Sequence, residues 1–142
     1  MYKLEIVSPK GIIYSGDVYQ TVVNTADGEC GILENHMLLL TNVIPGKIRI
    51  EKEGEEPKEL AVTYGVIDVT GDKVIILVEE AYGLDEIDVE REKQLLEEAK
   101  TKLSNKEELS LEELERYEKL RDRAETLLKL AGVNPEAYIP TP

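Results

Sequence analysis

The sequence has no phenylalanine and no tryptophan, and it contains one cysteine and one histidine. A single thiol excludes an intrachain disulfide and a cysteine-based zinc site, and it favours the reducing cytosol as the compartment. One histidine excludes a metal centre that needs several imidazoles. The chain is nevertheless 42% hydrophobic. Valine, isoleucine, leucine and tyrosine therefore have to supply a packed core.

Long apolar runs and excess positive charge are also missing. Runs such as residues 37–40 and 74–78 are far shorter than the about 20 residues that span a bilayer. The N-terminus lacks an apolar signal core. The net charge of -13 repels phosphate backbones and anionic lipid headgroups. We therefore expect no nucleic-acid binding and no direct membrane insertion, and a basic protein surface as the natural partner.

Motifs for catalysis and metal binding are equally scarce. No glycine-rich loop ends in Gly-Lys-Ser/Thr, so ATP turnover would have to reside in another chain. The acidic residues are scattered and lack EF-hand spacing. Cys30 lies beside a turn glycine, but no motif supplies a third group to orient His36. We predict no catalytic residue and no metal site, and an independent enzyme is the least supported class.

The first eighty or so residues alternate with the period of a β-strand. Apolar and polar side chains alternate within residues 2–6, 47–51 and 59–63. Turn signals such as Pro9-Lys10-Gly11, Asp27-Gly28 and Pro45-Gly46 separate the runs at short intervals. Many short strands at this spacing predict a flattened β-sandwich or barrel over residues 1–86.

A helical period begins near Asp88, which is a suitable N-cap. Ser104-Asn105 ends the first predicted helix, and Ser110 with Glu113 forms a capping box that starts a second helix ending near Gly132. Two helices joined by a short polar link predict an antiparallel hairpin with a short tail over residues 87–142, and hence an α+β fold. The apolar stripes are narrow, so we expect a hairpin of low internal stability that docks and undocks.

A resemblance to a known family enters through residues 28–36, which read GECGILENH. This segment resembles a loop of the epsilon subunits of F-type ATP synthases, which reads Gly-Glu, an aromatic or apolar residue, then Gly-Ile-Leu-Pro-Asn-His. Leu39-Leu40-Thr41 and Pro45-Gly46 follow at the family's spacing, and the opening residues 4–11 also fit. Cys30 and Glu34 depart from the pattern. The resemblance covers nearly the whole chain in order.

The resemblance implies a non-catalytic central-stalk subunit of the proton-translocating F-type ATP synthase. The sandwich is expected to bind the gamma subunit and the ring of c subunits, and thus to couple proton flow to ATP synthesis. The hairpin is expected to extend toward the catalytic alpha and beta subunits and inhibit ATP hydrolysis. The complex would hold the chain peripherally at the cytoplasmic face of the inner membrane.

Glu29 and His36 are the candidate residues for the interface with gamma and the c ring, because the resemblance places their loop there. A carboxylate in this position would pair with basic residues and favour register more than affinity. The alternative is that Glu29 is a solvated turn residue and His36 a hydrogen-bonded loop residue.

Residues 87–92, which read IDVERE, resemble the family's nucleotide motif Ile/Leu-Asp-x-x-Arg-Ala. The resemblance implies Asp88, Arg91, Arg116 and Arg123 as candidate nucleotide-binding residues, with the arginines clamping phosphates. Glu92 replaces the motif's alanine. Tyr82 and Glu98 also stand where ATP-binding relatives carry a carboxylate and an arginine.

The competing interpretation of this motif is an N-cap Asp88 with an i,i+3 arginine partner, and we favour it. We therefore expect no cofactor, with ATP at most a weak regulatory ligand. Two other functions stay open at this point: a nucleotide-sensing module, and an unrelated adaptor that presents a charged hairpin to another assembly. The loop at residues 28–36 argues against the adaptor, which has no need of that motif.

Overall fold

The computed structural model describes residues 1–34 and 38–135, which contain ten β-strands and two α-helices. The chain divides into two compact units, residues 1–84 and residues 85–142. All ten strands belong to the first unit and both helices to the second. The predicted α+β fold, a β-structure followed by a helical pair, is confirmed.

Short strands follow one another through the first unit, as the alternating pattern predicts. They are β1 (Tyr2–Ser8), β2 (Gly11–Val18), β3 (Gln20–Thr25), β4 (Gly28–Leu33), β5 (Leu39–Val43), β6 (Gly46–Glu51), β7 (Lys58–Val62), β8 (Gly65–Thr70), β9 (Lys73–Val78) and β10 (Ala81–Gly83).

The strands pair in the order β10-β7-β6-β3-β5-β8-β9-β1-β2, with β4 on β3. Strand β1 runs parallel to β9, with Leu4 opposite Val74 and Ile6 opposite Ile76. The start of β3 pairs with β6, whereas Thr25 at its end pairs with Val43 of β5. The sheet therefore bends at β3 and folds into a flattened sandwich.

The core of the sandwich consists of side chains from alternate strand positions. In β1, Tyr2, Leu4 and Ile6 are buried while Lys3 is exposed. Aliphatic side chains from the other strands complete this core: Val18, Val23, Ile32, Val43, Ile48, Ile50, Leu60, Val62, Ile67, Val69, Val74, Ile76 and Val78. Branched aliphatic residues thus fill the interior, as the absence of phenylalanine and tryptophan requires.

Tyr2 ties three strands together through its phenol. Its hydroxyl hydrogen-bonds Thr21 Oγ1 of β3 and the Ile32 carbonyl oxygen of β4, each at 2.7 Å. Burial raises the pKa of Tyr2 above the ordinary 10.0, and hydrogen bonding with Thr21 partly opposes this shift. The neutral phenol is therefore the form that the folded sandwich prefers.

We expect Tyr2→Phe to reduce the free energy of unfolding by about 1–3 kcal/mol, because it leaves a buried carbonyl and a buried hydroxyl without this partner. The folded-state pKa is raised, so the contribution of the phenol is complete below pH 10.0 and is lost as pH rises through the folded value. Urea titrations of wild type and variant should thus converge above pH 10. If the difference in unfolding free energy between wild type and Tyr2→Phe does not change with pH, the neutral phenol of Tyr2 is not the stabilising group.

Both helices of the second unit begin at side-chain caps. Helix α1 (Val89–Leu103) starts at Asp88, whose carboxylate accepts from the Arg91 backbone N–H at 3.1 Å. Helix α2 (Leu111–Leu130) starts at Ser110, which forms the reciprocal capping box with Glu113. Helix α2 ends at Leu130, and Gly132 just beyond it has a φ of 82° that turns the chain away from the helix.

The two helices share a small apolar cluster formed by Leu96, Ala124 and Leu128. Val89, Leu95 and Val133 pack against it. A short 3₁₀ turn at Lys106–Glu108 lies in the link between the helices, a feature that the sequence pattern did not indicate. Ala99, Leu103, Tyr117 and Leu127 of the two helices are also buried, so the low internal stability expected of the hairpin stays a prediction.

Candidate functional site

Glu29 lies on the β3–β4 hairpin, next to its turn. Its backbone pairs with Asn24, and its side chain is exposed. The Thr25 hydroxyl holds the turn closed, because it donates to the Gly28 carbonyl oxygen at 2.8 Å and accepts from the Asp27 N–H at 3.2 Å. The carboxylate of Glu29 is thus presented from a rigid strand end.

The neighbouring β5–β6 turn lies beside this hairpin. The Ala26 N–H donates to the Asn42 carbonyl, and the Ile44 N–H donates to the Asn24 carbonyl. Together the two turns form an exposed surface, here called the tip surface, composed of Ala26, Asp27, Gly28, Glu29, Asn42 and Ile44. It carries two carboxylates and no basic side chain. Its charge suits a basic partner with an adjoining apolar contact.

His36, the other candidate interface residue, lies outside the described residues. Its part in the interface stays a prediction.

A second surface was not singled out from the sequence. Paired residues on adjacent strands point to the same side of a sheet. Val66 of β8 pairs with Leu77 of β9, Leu77 with Val7 of β1, and Val7 with Ile12 of β2. These four side chains form an apolar row across four strands, here called the outer row.

The outer row faces away from the core. Val66 is 36% exposed, Leu77 51% and Ile12 66%, while Val7 is half-buried. Leu40 of β5 is 73% exposed and pairs with Asp68, next to the row. A contiguous apolar area on a small domain is typical of an interaction surface.

A groove of ≈ 540 Å³ lies along three residues of the outer row, Val66, Leu77 and Val7. Val7, Pro9, Val66 and Leu77 contribute apolar walls, and Gly65 forms part of the lining. Such a groove accepts an aliphatic or aromatic side chain from a partner.

The signal for the outer row was present in β9. Residues 74–78 are apolar at every position. In an antiparallel sheet with one face open to water, a strand instead alternates apolar and polar residues. Val74, Ile76 and Val78 are buried in the core, which leaves Leu77 on the outside. A continuous apolar run in a sandwich strand thus indicates a covered outer face.

Two of the candidate nucleotide residues, Asp88 and Arg91, meet in the first turn of α1, where the Asp88 carboxylate accepts from the Arg91 backbone N–H. Asp88 caps α1. Arg91 is exposed, and the exposed Arg116 guanidinium lies 5.5 Å from the Tyr117 ring centre. Tyr82 lies in the first unit, where its hydroxyl donates to the Glu80 carboxylate. Asp88 is therefore an N-cap, as the interpretation without a nucleotide proposed. ATP binding stays a prediction.

Arg123 has a partner that the sequence pattern did not indicate. Its Nε donates to Glu92 Oε1 at 3.1 Å, from α2 to α1. The two side chains are 11% and 3% exposed. Glu92, which replaces the motif's alanine, is therefore a buried ion-pair partner of one predicted phosphate-binding arginine.

Within residues 1–34 and 38–135, no group of three or more histidine, cysteine or carboxylate residues is placed to hold a metal ion. Neither described helix combines the length and apolarity needed to cross a bilayer.

The protein is a β-sandwich interaction module with a helical appendage. Three features define this class: the acidic tip surface, the apolar outer row and the charged helical pair. Residues 1–83 match the family described as "ATP synthase, Delta/Epsilon chain, beta-sandwich domain". The chain belongs to the epsilon-subunit family of bacterial F-type ATP synthases. The earlier resemblance is thereby confirmed.

Relatives align along almost the whole chain. The ATP synthase epsilon chain of Persephonella marina is 72% identical over 133 residues, covering 94% of this chain and 98% of the relative. That of a Sulfurihydrogenibium species is 68% identical over 132 residues, covering 93% and 98%.

Solved structures extend the likeness to assembled complexes. One chain in the cryo-EM structure of the Euglena gracilis mitochondrial ATP synthase, OSCP/F1/c-ring, superposes with a TM-score of 0.70 at 25% identity, covering 89% of this chain and 78% of that chain. A chain of the Tetrahymena thermophila central stalk and c-ring shares the fold, with a TM-score of 0.64 at 13% identity, covering 91% and 95%.

Proposed function

We propose that this epsilon subunit is a central-stalk component that binds the gamma subunit and the c ring, and so helps couple proton flow to ATP synthesis. The observation that carries the proposal is the outer row, since a folded sandwich has no internal need for Leu77 and Ile12 on its outside. The similar chain of the Euglena gracilis mitochondrial ATP synthase belongs to a structure of OSCP, F1 and c-ring, which supports the same kind of assembly.

The two surfaces differ in chemistry, so we assign them to different partners. The outer row and its groove suit the gamma subunit, because an enduring rotor contact needs a desolvated apolar centre. The tip surface suits basic loops of the c ring, because Asp27 and Glu29 give it negative charge.

The helices supply the regulatory part of the proposal. Helix α2 carries three arginines along its length, Arg116, Arg121 and Arg123. A two-helix hairpin has one shared face rather than an enclosed core, so we expect it to open at a lower free-energy cost than the sandwich. In the extended state it reaches the alpha and beta subunits and inhibits ATP hydrolysis. Bond-making chemistry then belongs to those subunits, and this chain remains peripheral at the cytoplasmic face of the inner membrane.

Co-purification tests this function directly. A tagged full-length chain, expressed in cells that make the whole synthase, should recover gamma, the c ring and the catalytic subunits. Recovery of a different assembly without gamma would reject the proposal. Recovery of gamma alone after detergent extraction would retain the stalk assignment and remove the c-ring contact.

We expect Glu29→Lys to lower proton pumping per ATP hydrolysed in reassembled enzyme by a few-fold, because it places a cation opposite basic loops. Folding should be unaffected, since Glu29 is exposed. The matched control is Glu53→Lys, which makes the same charge change at an exposed residue of the β6–β7 turn. Equal pumping by wild type and both variants would remove the tip surface from the interface.

A further inference from the structure

We propose that Glu92 acts as an internal anion for Arg123, so that the chain's own carboxylate closes the hairpin and denies this guanidinium to phosphate ligands. The inference deepens the proposed regulatory role of the helices and rests on it for its physiological meaning. The ion pair itself can be tested on the isolated full-length chain, whether or not that role holds.

The geometry supports a specific pairing. Glu92 lies in the first turn of α1, and Arg123 lies 31 residues further along the chain on α2. The 3.1 Å contact joins charged atoms of two nearly buried side chains. Other ion pairs of these helices, such as Glu90 with Lys93 and Lys119 with Glu115, involve a side chain at least half exposed.

Because it is buried, the Glu92–Arg123 pair differs from the exposed ion pairs of these helices in what the loss of one partner costs. Removing both charges from water is costly, and the cost is offset when the partners meet with good geometry. Losing one partner leaves a buried charge without its counter-ion, which is more harmful than losing both. The pair therefore fixes which turn of α1 lies against which turn of α2 and penalises other registers.

The ion pair also affects whether Arg123 can bind a phosphate ligand. A guanidinium binds carboxylate and phosphate oxygens with the same N–H donors. While Glu92 occupies Arg123, a phosphate has to displace a buried, preformed ion pair. The hairpin thus closes without any bound anion, because Glu92 supplies the negative charge that Arg123 needs.

The first test is a double-variant cycle on the full chain, read by amide exchange in α1 and α2. We expect Glu92→Ala and Arg123→Ala each to accelerate exchange by about 100-fold, and the double variant to be less affected than the product of the two. The control is Glu90→Ala, an exposed position of the same helix turn. We expect it to change the amide exchange rate less than about threefold. Multiplicative single effects, or an equal effect of Glu90→Ala, would overturn the proposal.

The second test uses inorganic triphosphate as the probe in titration calorimetry. Glu92→Ala should bind it at least about tenfold more tightly than wild type, because Arg123 is released. Should the alanine variant fold poorly, Glu92→Gln removes the charge while keeping the volume and should show the same direction of change. The added change Arg123→Gln should abolish the gain. Affinity that is unchanged by both Glu92 variants, or a gain that survives loss of Arg123, would refute the anion role even if the chain still assembles with the synthase.

Discussion

Leu77→Asp is expected to abolish recovery of the gamma subunit in co-purification while leaving the sandwich folded. The side chain is 51% exposed and occupies the centre of the outer row, between Val66 and Val7. In the free chain an aspartate there remains in water. In the complex it becomes a desolvated, unpaired charge, which weakens binding by about 100-fold, or about 3 kcal/mol.

The control for this variant is Thr70→Asp. Thr70 is exposed at the end of β8 and pairs with Lys73, away from the outer row. It adds the same charge to the same part of the sheet, so gamma should be recovered normally. If Leu77→Asp retains gamma, the outer row is not the gamma-binding surface. If both variants lose gamma, added charge rather than position is responsible.

Gly65→Ala is expected to destabilise the sandwich by about 4 kcal/mol or more, because relief would require backbone movement. A methyl group at this position would overlap the Leu77 carbonyl oxygen and lie 2.9 Å from both the Leu77 carbonyl carbon and Val78 Cα. Those atoms belong to the backbone of β9, which pairs with β8 and with β1. Urea unfolding should report the loss as a lower midpoint.

A glycine on another strand provides the comparison. At Gly31 of β4, an added methyl group would meet the end of the flexible Gln20 side chain at 3.0 Å. That side chain can move, so Gly31→Ala should change stability by less than about 1 kcal/mol. Equal and small effects at both glycines would show that β8 and β9 separate without cost, contrary to the close packing described above.

Local features of the fold could be predicted from the sequence because their causes are local. Strand β1 alternates in residues 2–6, and its buried positions are the apolar ones. The Ser110–Glu113 capping box spans four residues and forms as expected. Both ends of α2 follow from residues within one turn of the boundary.

Features that depend on distant partners could not be predicted in this way. The outer row exists because Val7 pairs with Leu77, seventy residues away along the chain. Periodicity gives which residues share a face of one strand, but not which strands are neighbours. The burial of Glu92 likewise depends on Arg123 of the other helix, so a glutamate in a charged helical segment gave no sign of being internal.

The parallel pairing of β1 with β9 has a consequence for synthesis on the ribosome. Tyr2–Ser8 leaves the ribosome well before its neighbour Lys73–Val78 has been translated, so that part of the sheet cannot yet close. Contacts between residues so far apart form slowly, whereas the two helices that follow the strands are joined by a short link. The nascent sandwich therefore waits with one edge of β1 open, while β2 already covers the opposite edge of that strand.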